Sequence, residues 1–372
     1  MKIMVVIPKF VPDTYGGAEF EAKWLSEAFA EEGHEVVLLT EQSNEKPAIS
    51  KENGVKVYRT IKEGRTAEPQ AYYEILRLWR KEKPDVIHGH HVYPTGLWLY
   101  PVMKFSPTPV YLTSHAEDIR RESKWGNGIR ANPVKDKLVK RAAKASDKLI
   151  LCGGNLIEEA KDMALSEDQY IVINNAIDLK QGEYTEFQVG EVYSKFDLDQ
   201  DKKQAFFISR LVPKKGLDTL LDAIESVERE DIEFVIAGTG PLEEEITEEK
   251  EERKLENLTI TGRITEQEKE MLFQQSEIFL FPSYSEGFPI VILEAMKYGC
   301  TIIASNIPGP TDILNEQNSI LFEPGNSEEL VQVLNSKKLK EENMNRLSKR
   351  AIKDVKKLNP KNVSQRYLKV FK

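Results

Sequence analysis

The chain has 372 residues, which is too many for one ordinary hydrophobic core, so two domains of about 150 to 200 residues each are expected. Hydrophobic residues make up 40% of the sequence and charged residues 30%, a balance that excludes a disordered or low-complexity chain. The formal net charge of −9 argues against nucleic acid as the main partner.

The first predicted unit is a strand, a helix and a second strand. A strand over 3–7 leads to a loop that ends in Gly16 and Gly17, and a helical pattern over 18–31 and a strand over 34–40 follow. A glycine pair at a strand-to-helix turn lies where α/β sheets bind phosphate-bearing ligands. The pair does not form the G-x-G-x-x-G pattern of dinucleotide sites, and a tight turn needs glycine even without a ligand.

The apolar segments of the first half are too short or too interrupted to enter a membrane. The N-terminal run, 1–8, is shorter than a signal peptide requires, so the chain is predicted to stay in the cytoplasm. The stretch 86–103 has no formal charge, but histidine, glycine and proline residues break it. A transmembrane helix is therefore not expected there.

Polar residues come directly after the next predicted strand, 110–113. His115 and Asp118 lie just beyond its carboxyl end, where an open α/β sheet keeps its functional groups. His115 is therefore a candidate functional residue, with a buried structural histidine as the alternative. The three histidines within 88–91 match no familiar metal-ligand spacing, so structural roles and no metal site are predicted for them.

The segment 120–148 is strongly basic. It contains ten lysine or arginine residues and three acidic residues, a net charge of +7 in an acidic protein. Such asymmetry suits docking on anionic lipid at the inner face of a membrane, or on a phosphate-bearing acceptor. A solvated helix face explains the same pattern, so both interpretations stand.

The second half opens after a polar, weakly periodic segment, 179–203, that predicts a linker. A strand over 204–209 follows, and Arg210 and Lys215 come directly after it. Because arginine offers a planar fork of donors and lysine a point charge, the two can converge on one diphosphate at this turn. A pair of exposed surface cations is the alternative.

The stretch 283–299 follows an apolar strand, 278–281, and predicts a turn into a helix. Pro289 fits the first helical turn, and Gly299 fits the stop just past the helix end. On this interpretation the backbone N–H groups at 287–288 lie at a helix N-terminus, where a phosphate is favoured by both the donors and the helix dipole.

Two carboxylates, Glu286 and Glu294, flank this helix start. In an all-helical segment they would be separated by ~12 Å, at 1.5 Å per residue. That span suits a nucleotide sugar, which has hydroxyls at both ends and phosphate between them. The alternative is one surface carboxylate and one helix-face carboxylate with no ligand.

Taken together and in order, these motifs resemble the retaining GT-B glycosyltransferases of family four. The resemblance covers nearly the whole chain, with two departures: Ala116 and Ser209 stand where the family often has glycine. The residues that carry it are Gly16-Gly17, His115 with Asp118, Arg210-Leu-x-x-x-Lys215-Gly216, Gly262-Arg263-Ile264 and Glu286-x7-Glu294.

The resemblance implies an α/β fold of the GT-B type, with two Rossmann-like domains facing each other across a cleft. The N-terminal domain, 1–180, would bind the acceptor, and the C-terminal domain, 181–354, would bind the nucleotide sugar. The last helix, about 355–372, is expected to pack back on the N-terminal domain.

The resemblance also implies roles for individual residues. Arg210 and Lys215 would neutralise the departing diphosphate. Glu286 would bind hydroxyls of the donor sugar, and His115 would lie near the reacting sugar. Glu294 would hold the ribose hydroxyls. The other donor-binding residues that it implies are Gly16, Gly17, Arg263, Ile264, Gly287, Phe288, Pro289, Ile290 and Val291.

The implied activity is transfer of a sugar from a nucleotide sugar, with a UDP-sugar favoured, to a hydroxyl of a glycan, a lipid-linked acceptor or a small molecule. The anomeric configuration would be retained, and neither a cofactor nor a metal is expected. A sugar phosphorylase, a nucleotide-sugar epimerase and a non-catalytic nucleotide-sugar-binding protein are the alternatives on the same fold.

Overall fold

The computed structural model describes residues 1–14, 16–62, 67–121 and 128–372. The chain divides into two compact units, each built around its own sheet. The first unit comprises Met1–Asp178 and Leu358–Lys372, and the second comprises Leu179–Lys357. Two α/β units with largely parallel sheets confirm the predicted fold class.

The first unit contains an eight-stranded sheet. Its strands are β1 (Lys2–Val6), β2 (Glu35–Glu41), β3 (Ile49–Glu52), β4 (Val55–Ile61), β5 (Val86–His90), β6 (Val110–Ser114), β7 (Lys148–Leu151) and β8 (Tyr170–Val172). Their order is β3-β4-β2-β1-β5-β6-β7-β8, and only the β3–β4 pair is antiparallel. The central strands are buried apolar runs, as parallel strands covered on both faces require.

Helices connect these strands in the first unit. They are α1 (Gly17–Glu31), α2 (Ala67–Glu82), α3 (Thr95–Phe105), α4 (Pro133–Ala145) and α5 (Ile157–Asp162). The start of α4 is fixed locally, because the side chain of Asn132 accepts hydrogen bonds from the backbone of Val134 and Lys135. Among the described residues, no helix combines the length and the apolar character needed to cross a membrane.

The second unit contains a six-stranded parallel sheet. Its strands are β9 (Lys203–Ile208), β10 (Ile232–Ala237), β11 (Leu258–Gly262), β12 (Ser276–Phe281), β13 (Thr301–Ser305) and β14 (Ile320–Phe322). Their order is β11-β10-β9-β12-β13-β14. This order is that of the doubly wound nucleotide-binding fold.

Seven helices are described in the second unit. They are α6 (Glu186–Phe196), α7 (Leu217–Ser226), α8 (Glu243–Glu252), α9 (Glu266–Gln275), α10 (Ile290–Tyr298), α11 (Ser327–Leu334) and α12 (Glu341–Val355). The linker predicted over 179–203 is wrong in part, because α6 lies inside it. A capping box explains this helix: Thr185 and Gln188 satisfy each other's backbone N–H groups.

The last helix, α13 (Pro360–Val370), belongs to the first unit and packs on α1. Leu358 accepts a backbone hydrogen bond from Ile177 where the chain re-enters that unit. The Tyr367 ring then lies against Phe29 and His88, with centroid distances of 6.4 and 5.1 Å. The first unit therefore receives part of its core from the far end of the sequence.

Each sheet has one position where the strand order reverses. In the second unit the chain runs outward from β9 through β10 to β11 and then returns to place β12 on the other side of β9. In the first unit the same reversal falls between β1 and β5. Loops at the carboxyl ends of strands on either side of such a reversal diverge and leave a crevice, which is where open α/β sheets bind ligands.

Candidate active site

The second unit brings two predicted site residues together at its strand-order reversal. Lys215 lies in a short 3-10 turn after β9, and Glu286 lies in the turn after β12. Their Nζ and Oε1 atoms are 2.5 Å apart, and the two side chains are only 15% and 10% exposed. A cation and a carboxylate thus meet where the fold leaves a crevice.

The two loops that carry this ion pair are tied to each other. Tyr284 donates its backbone N–H to the carbonyl of Lys214 at 2.8 Å. Gly216 has a φ of +68°, and a Cβ there would lie 2.1 Å from the carbonyl oxygen of Pro282. Only glycine permits both the left-handed backbone and this close approach. The glycine in the predicted motif therefore fixes the distance between the two loops.

Arg210 is the second predicted cation of this site. It lies two residues after the end of β9 and is exposed, while Lys215 is largely buried. The adjacent Leu211 donates its backbone N–H to the carbonyl of Thr239 at 2.9 Å, so the loops after β9 and β10 are also joined. The exposed guanidinium is open to an anion from solvent.

The predicted helix after Glu286 is present, and its predicted glycine stop is confirmed. Pro289 is the N-cap residue of α10, one position before the first helical turn that the sequence predicts for it, because its backbone is still extended. Gly299 ends the helix in the left-handed conformation. Gly309 packs closely against the turn before the helix, since a Cβ at Gly309 would lie 2.2 Å from the carbonyl oxygen of Gly287. Phe288 is buried and anchors the turn to the core.

Glu294 lies on α10 and pairs with a residue that the sequence analysis did not select. Its Oε1 is 2.8 Å from the Nζ of Lys269 on α9, and Lys269 also contacts Glu266 at 2.7 Å. Burial lowers the pKa of Lys269, but the two carboxylates outweigh burial and raise it above its usual value. Lys269 therefore stays charged beside Glu294.

The remaining residues predicted to bind the donor are spread over several loops of the second unit. Arg263 and Ile264 follow the edge strand β11, with Arg263 exposed and Ile264 half-buried. Ile290 and Val291 form the first turn of α10. The structure thus places these residues at the carboxyl-end side of the sheet or at a helix N-terminus, and their contact with a donor stays a prediction.

In the first unit, His115 follows β6, and Asp118 anchors its backbone. The Asp118 carboxylate accepts hydrogen bonds from the backbone N–H groups of His115 at 3.0 Å and Val92 at 2.6 Å. It also accepts one from the Ser114 hydroxyl at 2.8 Å. The carboxylate therefore joins the turn after β6 to the segment after β5.

The side chain of His115 lies between two buried groups from other elements. Its Nε2 is 3.0 Å from Nδ1 of His90 on β5, and its Nδ1 is 3.6 Å from Oε2 of Glu21 on α1. Both Glu21 and His90 are fully buried. Sequence reasoning assigned His90 a purely structural role and did not select Glu21, since one more glutamate in a glutamate-rich helix gives no signal.

Burial governs the protonation of this group. It raises the pKa of the Glu21 carboxyl to about 8, with a smaller opposing effect from the Tyr367 hydroxyl. Burial also lowers the pKa values of His90 and His115 well below the usual range, and neighbouring imidazoles lower them further. All three groups are therefore predominantly uncharged at neutral pH.

A carboxylate and two imidazoles are also donors that bind zinc, and one atom from each lies within 4.8 Å of the others. However, His115 turns one ring nitrogen towards Glu21 and the other towards His90. The ring therefore bridges its two neighbours, whereas a metal site requires lone pairs that converge on one point.

Replacing Glu21 with glutamine is expected to change how stability depends on pH. The unfolded chain loses the Glu21 proton near pH 4.5, while the folded chain keeps it to about pH 8, so wild-type stability falls as pH rises through this window. Glu21→Gln lacks that proton and should gain about 2 kcal/mol relative to wild type between pH 5.5 and 7.0. Urea unfolding at each pH measures the free energy of unfolding of both proteins. The same change of this free energy with pH in the two proteins would contradict the expectation.

At the start of α1, Gly16 is the N-cap residue and Gly17 the first helical residue. The pair follows β1, one of the two strands at the first unit's reversal. Tyr15, which precedes it, lies outside the described residues. The glycine pair thus occupies the predicted strand-to-helix turn, and its contact with phosphate stays a prediction.

The basic segment 120–148 divides into a buried part and an exposed part. The Arg130 side chain is fully buried and pairs with Asp136, Glu159 and Asp162, so it serves the fold. Residues 122–127 lie outside the described part of the chain. The cations exposed on α4 are Lys137, Arg141 and Lys144.

Comparison with known proteins gives two family matches in tandem. The model described as Glycosyltransferase Family 4 matches residues 15–181, and the model described as Glycosyl transferases group 1 matches residues 191–354. The first match lies almost wholly within the first structural unit, and the second lies within the second unit.

Individual relatives are more distant. The putative teichuronic acid biosynthesis glycosyltransferase TuaC of Bacillus subtilis is 26% identical over 251 residues, which are 68% of this chain and 60% of that protein. O-antigen chain mannosyltransferase C of Escherichia coli is 25% identical over 356 residues, which are 93% of this chain and 91% of that protein.

Solved structures share the fold. The structure of HepE from Anabaena in complex with UDP-glucose matches with a TM-score of 0.80 at 15% identity, covering 100% of this chain and 99% of that one. The tandem family matches, the two parallel α/β units and this likeness agree with one another. The chain belongs to the GT-B glycosyltransferases of the group 1 family.

Proposed function

We propose that this glycosyltransferase moves a sugar from a nucleotide sugar, with a UDP-sugar favoured, to a hydroxyl of a glycan, glycolipid or similar acceptor, with retention of configuration. The observation that carries the proposal is the contact of Lys215 with Glu286 at the strand-order reversal of the second unit. A diphosphate binds to a cation, and a sugar hydroxyl donates a hydrogen bond to a carboxylate. The two loops present both groups.

The proposed chemistry exchanges one bond at the anomeric carbon for another. The bond from this carbon to the diphosphate oxygen breaks, and the bond to the acceptor oxygen forms on the same face. The acceptor proton passes to the departing phosphate. Because negative charge builds on the diphosphate as it leaves, Arg210 and Lys215 would stabilise the transition state more than the ground state.

The choice of donor and acceptor is supported by relatives. HepE binds UDP-glucose in its solved structure, which favours a uridine nucleotide here. The names of TuaC and of the E. coli mannosyltransferase refer to teichuronic acid and O-antigen chains, which favours a cell-surface glycan as the acceptor. Pocket shape sets both choices, so related chains with the same motifs use different sugars.

A thermal-shift screen with uridine, guanosine and adenosine diphosphate sugars tests the donor. A ligand that binds only the folded protein at 100 times its Kd stabilises it by about 2.7 kcal/mol, which raises the melting temperature measurably. We expect one of these sugar nucleotides to bind. We expect it to be consumed only when an acceptor is present and to give a product of the same anomeric configuration.

Other outcomes would replace the proposal. Consumption that requires inorganic phosphate indicates a phosphorylase, and a changed sugar nucleotide formed without acceptor indicates an epimerase. Binding of a nucleotide sugar with no consumption under any acceptor condition indicates a binding protein. An inverted anomeric product would contradict retention alone.

The exposed basic face of α4 supports a further part of the proposal, contact with anionic lipid. Arg141 lies over the Tyr100 ring, 4.5 Å from its centroid, and its Nε donates to the Tyr100 hydroxyl at 2.7 Å. Phe105, at the end of the neighbouring α3, is 88% exposed. Tyr100 itself is half-buried. Cations beside partly exposed aromatic rings are typical of surfaces that bind the interfacial region of a membrane.

Vesicle binding is expected to depend on this face. The double variant Lys137→Glu, Lys144→Glu should lose sedimentation with vesicles rich in anionic phospholipid at low salt, because each cation contributes about 1 kcal/mol near such a surface. Lys349→Glu with Lys353→Glu on α12 makes the same change in net charge elsewhere. Failure of the wild type to bind these vesicles would remove the membrane proposal.

A further inference from the structure

Glu21 is a fully buried carboxyl group in the first unit, and neither the family motifs nor the predicted roles account for it. It lies on α1, and its contacts reach His115 after β6 and Tyr367 on α13. Burying an acidic side chain costs several kcal/mol unless it is neutral or well paired. Apolar packing alone therefore does not explain why a glutamate occupies this position.

The two carboxyl oxygens of Glu21 face different neighbours. Oε1 accepts a hydrogen bond from the Tyr367 hydroxyl of α13 at 3.5 Å, and that hydroxyl also contacts Oγ1 of Thr113 at 3.2 Å. Oε2 lies 3.6 Å from Nδ1 of His115 and has no shorter polar contact among the described residues. Tyr367 therefore binds one carboxyl oxygen of Glu21, and the other oxygen faces the His115 imidazole.

His90 completes the arrangement on the other side of the ring. Its Nδ1 lies 3.0 Å from Nε2 of His115, and the two rings are stacked with an angle of 14° between their planes. The remaining nitrogen of His90, Nε2, is buried without a partner among the described residues. Both nitrogens of His115 therefore face buried groups that come from α1 and β5.

We infer that Glu21 is a positioning residue for His115, which fixes the orientation and the tautomer of its imidazole. The inference rests on the proposed function and on the position near the reacting sugar that the family resemblance implies for His115. The protonated Glu21 presents its O–H to Nδ1 of His115 across 3.6 Å, a polar contact longer than a hydrogen bond. This contact favours a lone pair on Nδ1 and the ring proton on Nε2, which donates to Nδ1 of His90. Glu21, His115 and His90 all stay in their uncharged forms in this arrangement, so no proton is gained or lost.

Other titratable groups surround the ring and must be considered in any pH measurement. The His91 ring lies 4.8 Å from that of His115, and the His88 ring lies 4.4 Å from that of His90. Tyr367 faces Glu21 from α13, and Asp118 binds the backbone of His115.

The test is nuclear magnetic resonance of the full chain labelled with nitrogen-15 in its five histidines. His115→Gln identifies the His115 signals. In the wild type we expect a single His115 tautomer with the proton on Nε2 from pH 6 to 7, below the pKa of about 8 of the Glu21 carboxyl. Glu21→Gln, whose amide can donate to Nδ1, should keep it, whereas Glu21→Leu should give a mixture of tautomers.

A matched control and an activity measurement complete the test. Glu27→Gln on the same helix, away from His115, should leave the spectrum and the turnover of UDP-glucose as in the wild type. Glu21→Leu should lower kcat for UDP-glucose by roughly 10- to 100-fold, as misplaced catalytic groups do. Melting curves verify that each variant folds, and Glu21→Met, whose side chain also has no donor for Nδ1, replaces Glu21→Leu if that variant does not fold.

The two hypotheses fail in different ways. A wild-type His115 spectrum in Glu21→Leu would overturn the positioning role, whatever the activity. An altered spectrum in Glu21→Leu, with no nucleotide sugar consumed by the wild type, would overturn the proposed function and leave the contact between Glu21 and His115 established.

Discussion

Replacing Lys215 with alanine is expected to lower kcat by about two orders of magnitude or more, which is the usual cost of removing one preorganised group that stabilises transition-state charge. Lys215 is the less exposed of the two cations of the site and contacts Glu286 at 2.5 Å. Its loss removes positive charge from the proposed diphosphate position. It also removes the lysine contact of a carboxylate that is only 10% exposed.

The measurement is the initial rate with the nucleotide sugar that the wild type consumes, at saturating donor. Lys214→Ala is the matched control, because Lys214 is the preceding residue of the same short turn. It should retain most of the activity. Near-normal turnover in Lys215→Ala would count heavily against a role for this lysine in the transition state. Melting curves separate an effect on turnover from unfolding.

Replacing Glu294 with alanine is expected to weaken nucleotide binding by roughly 10- to 100-fold, because hydrogen bonds to a charged group contribute about 1.5 to 3 kcal/mol. The proposed partners are the ribose hydroxyls, and the effect should appear in Kd more than in kcat. Titration calorimetry with UDP measures it. Unchanged affinity would remove Glu294 from the ribose role.

The ion pair of Glu294 with Lys269 supplies the control for this variant. Lys269 contacts both Glu294 and Glu266. Glu266→Ala removes the other carboxylate from the same lysine and leaves Glu294 in place, so nucleotide affinity should change little. An equal loss of affinity in Glu266→Ala would mean that Glu294 acts through the charge balance around Lys269 and not by direct contact.

The local signals in the sequence were enough to predict the strand-to-helix turn that carries Glu286. An apolar strand, Pro289 and Gly299 are close in sequence, and each restricts the backbone on its own. The same holds for the turn from β9 to Gly216. The helix α6 could have been predicted too, since its capping box, Thr185 to Gln188, is visible in the sequence.

Pairings between distant segments could not be predicted in this way. Glu21 meets His115 and Tyr367 only because α1, β6 and α13 pack together. Lys269 meets Glu294 because α9 lies beside α10. In the sequence Glu21 and Lys269 look like ordinary charges on helix surfaces. Their burial depends on tertiary packing, which the periodicity of the sequence does not predict.

The return of α13 to the first unit affects the order in which the protein can fold during synthesis. Residues 358–372 leave the ribosome only after the entire second unit has been made. Until then the surface that receives Tyr367 and Phe371, which includes Phe29 and Tyr111, stays uncovered. The first unit is therefore completed only after the second unit has been made, and Glu21 acquires its tyrosine partner only then.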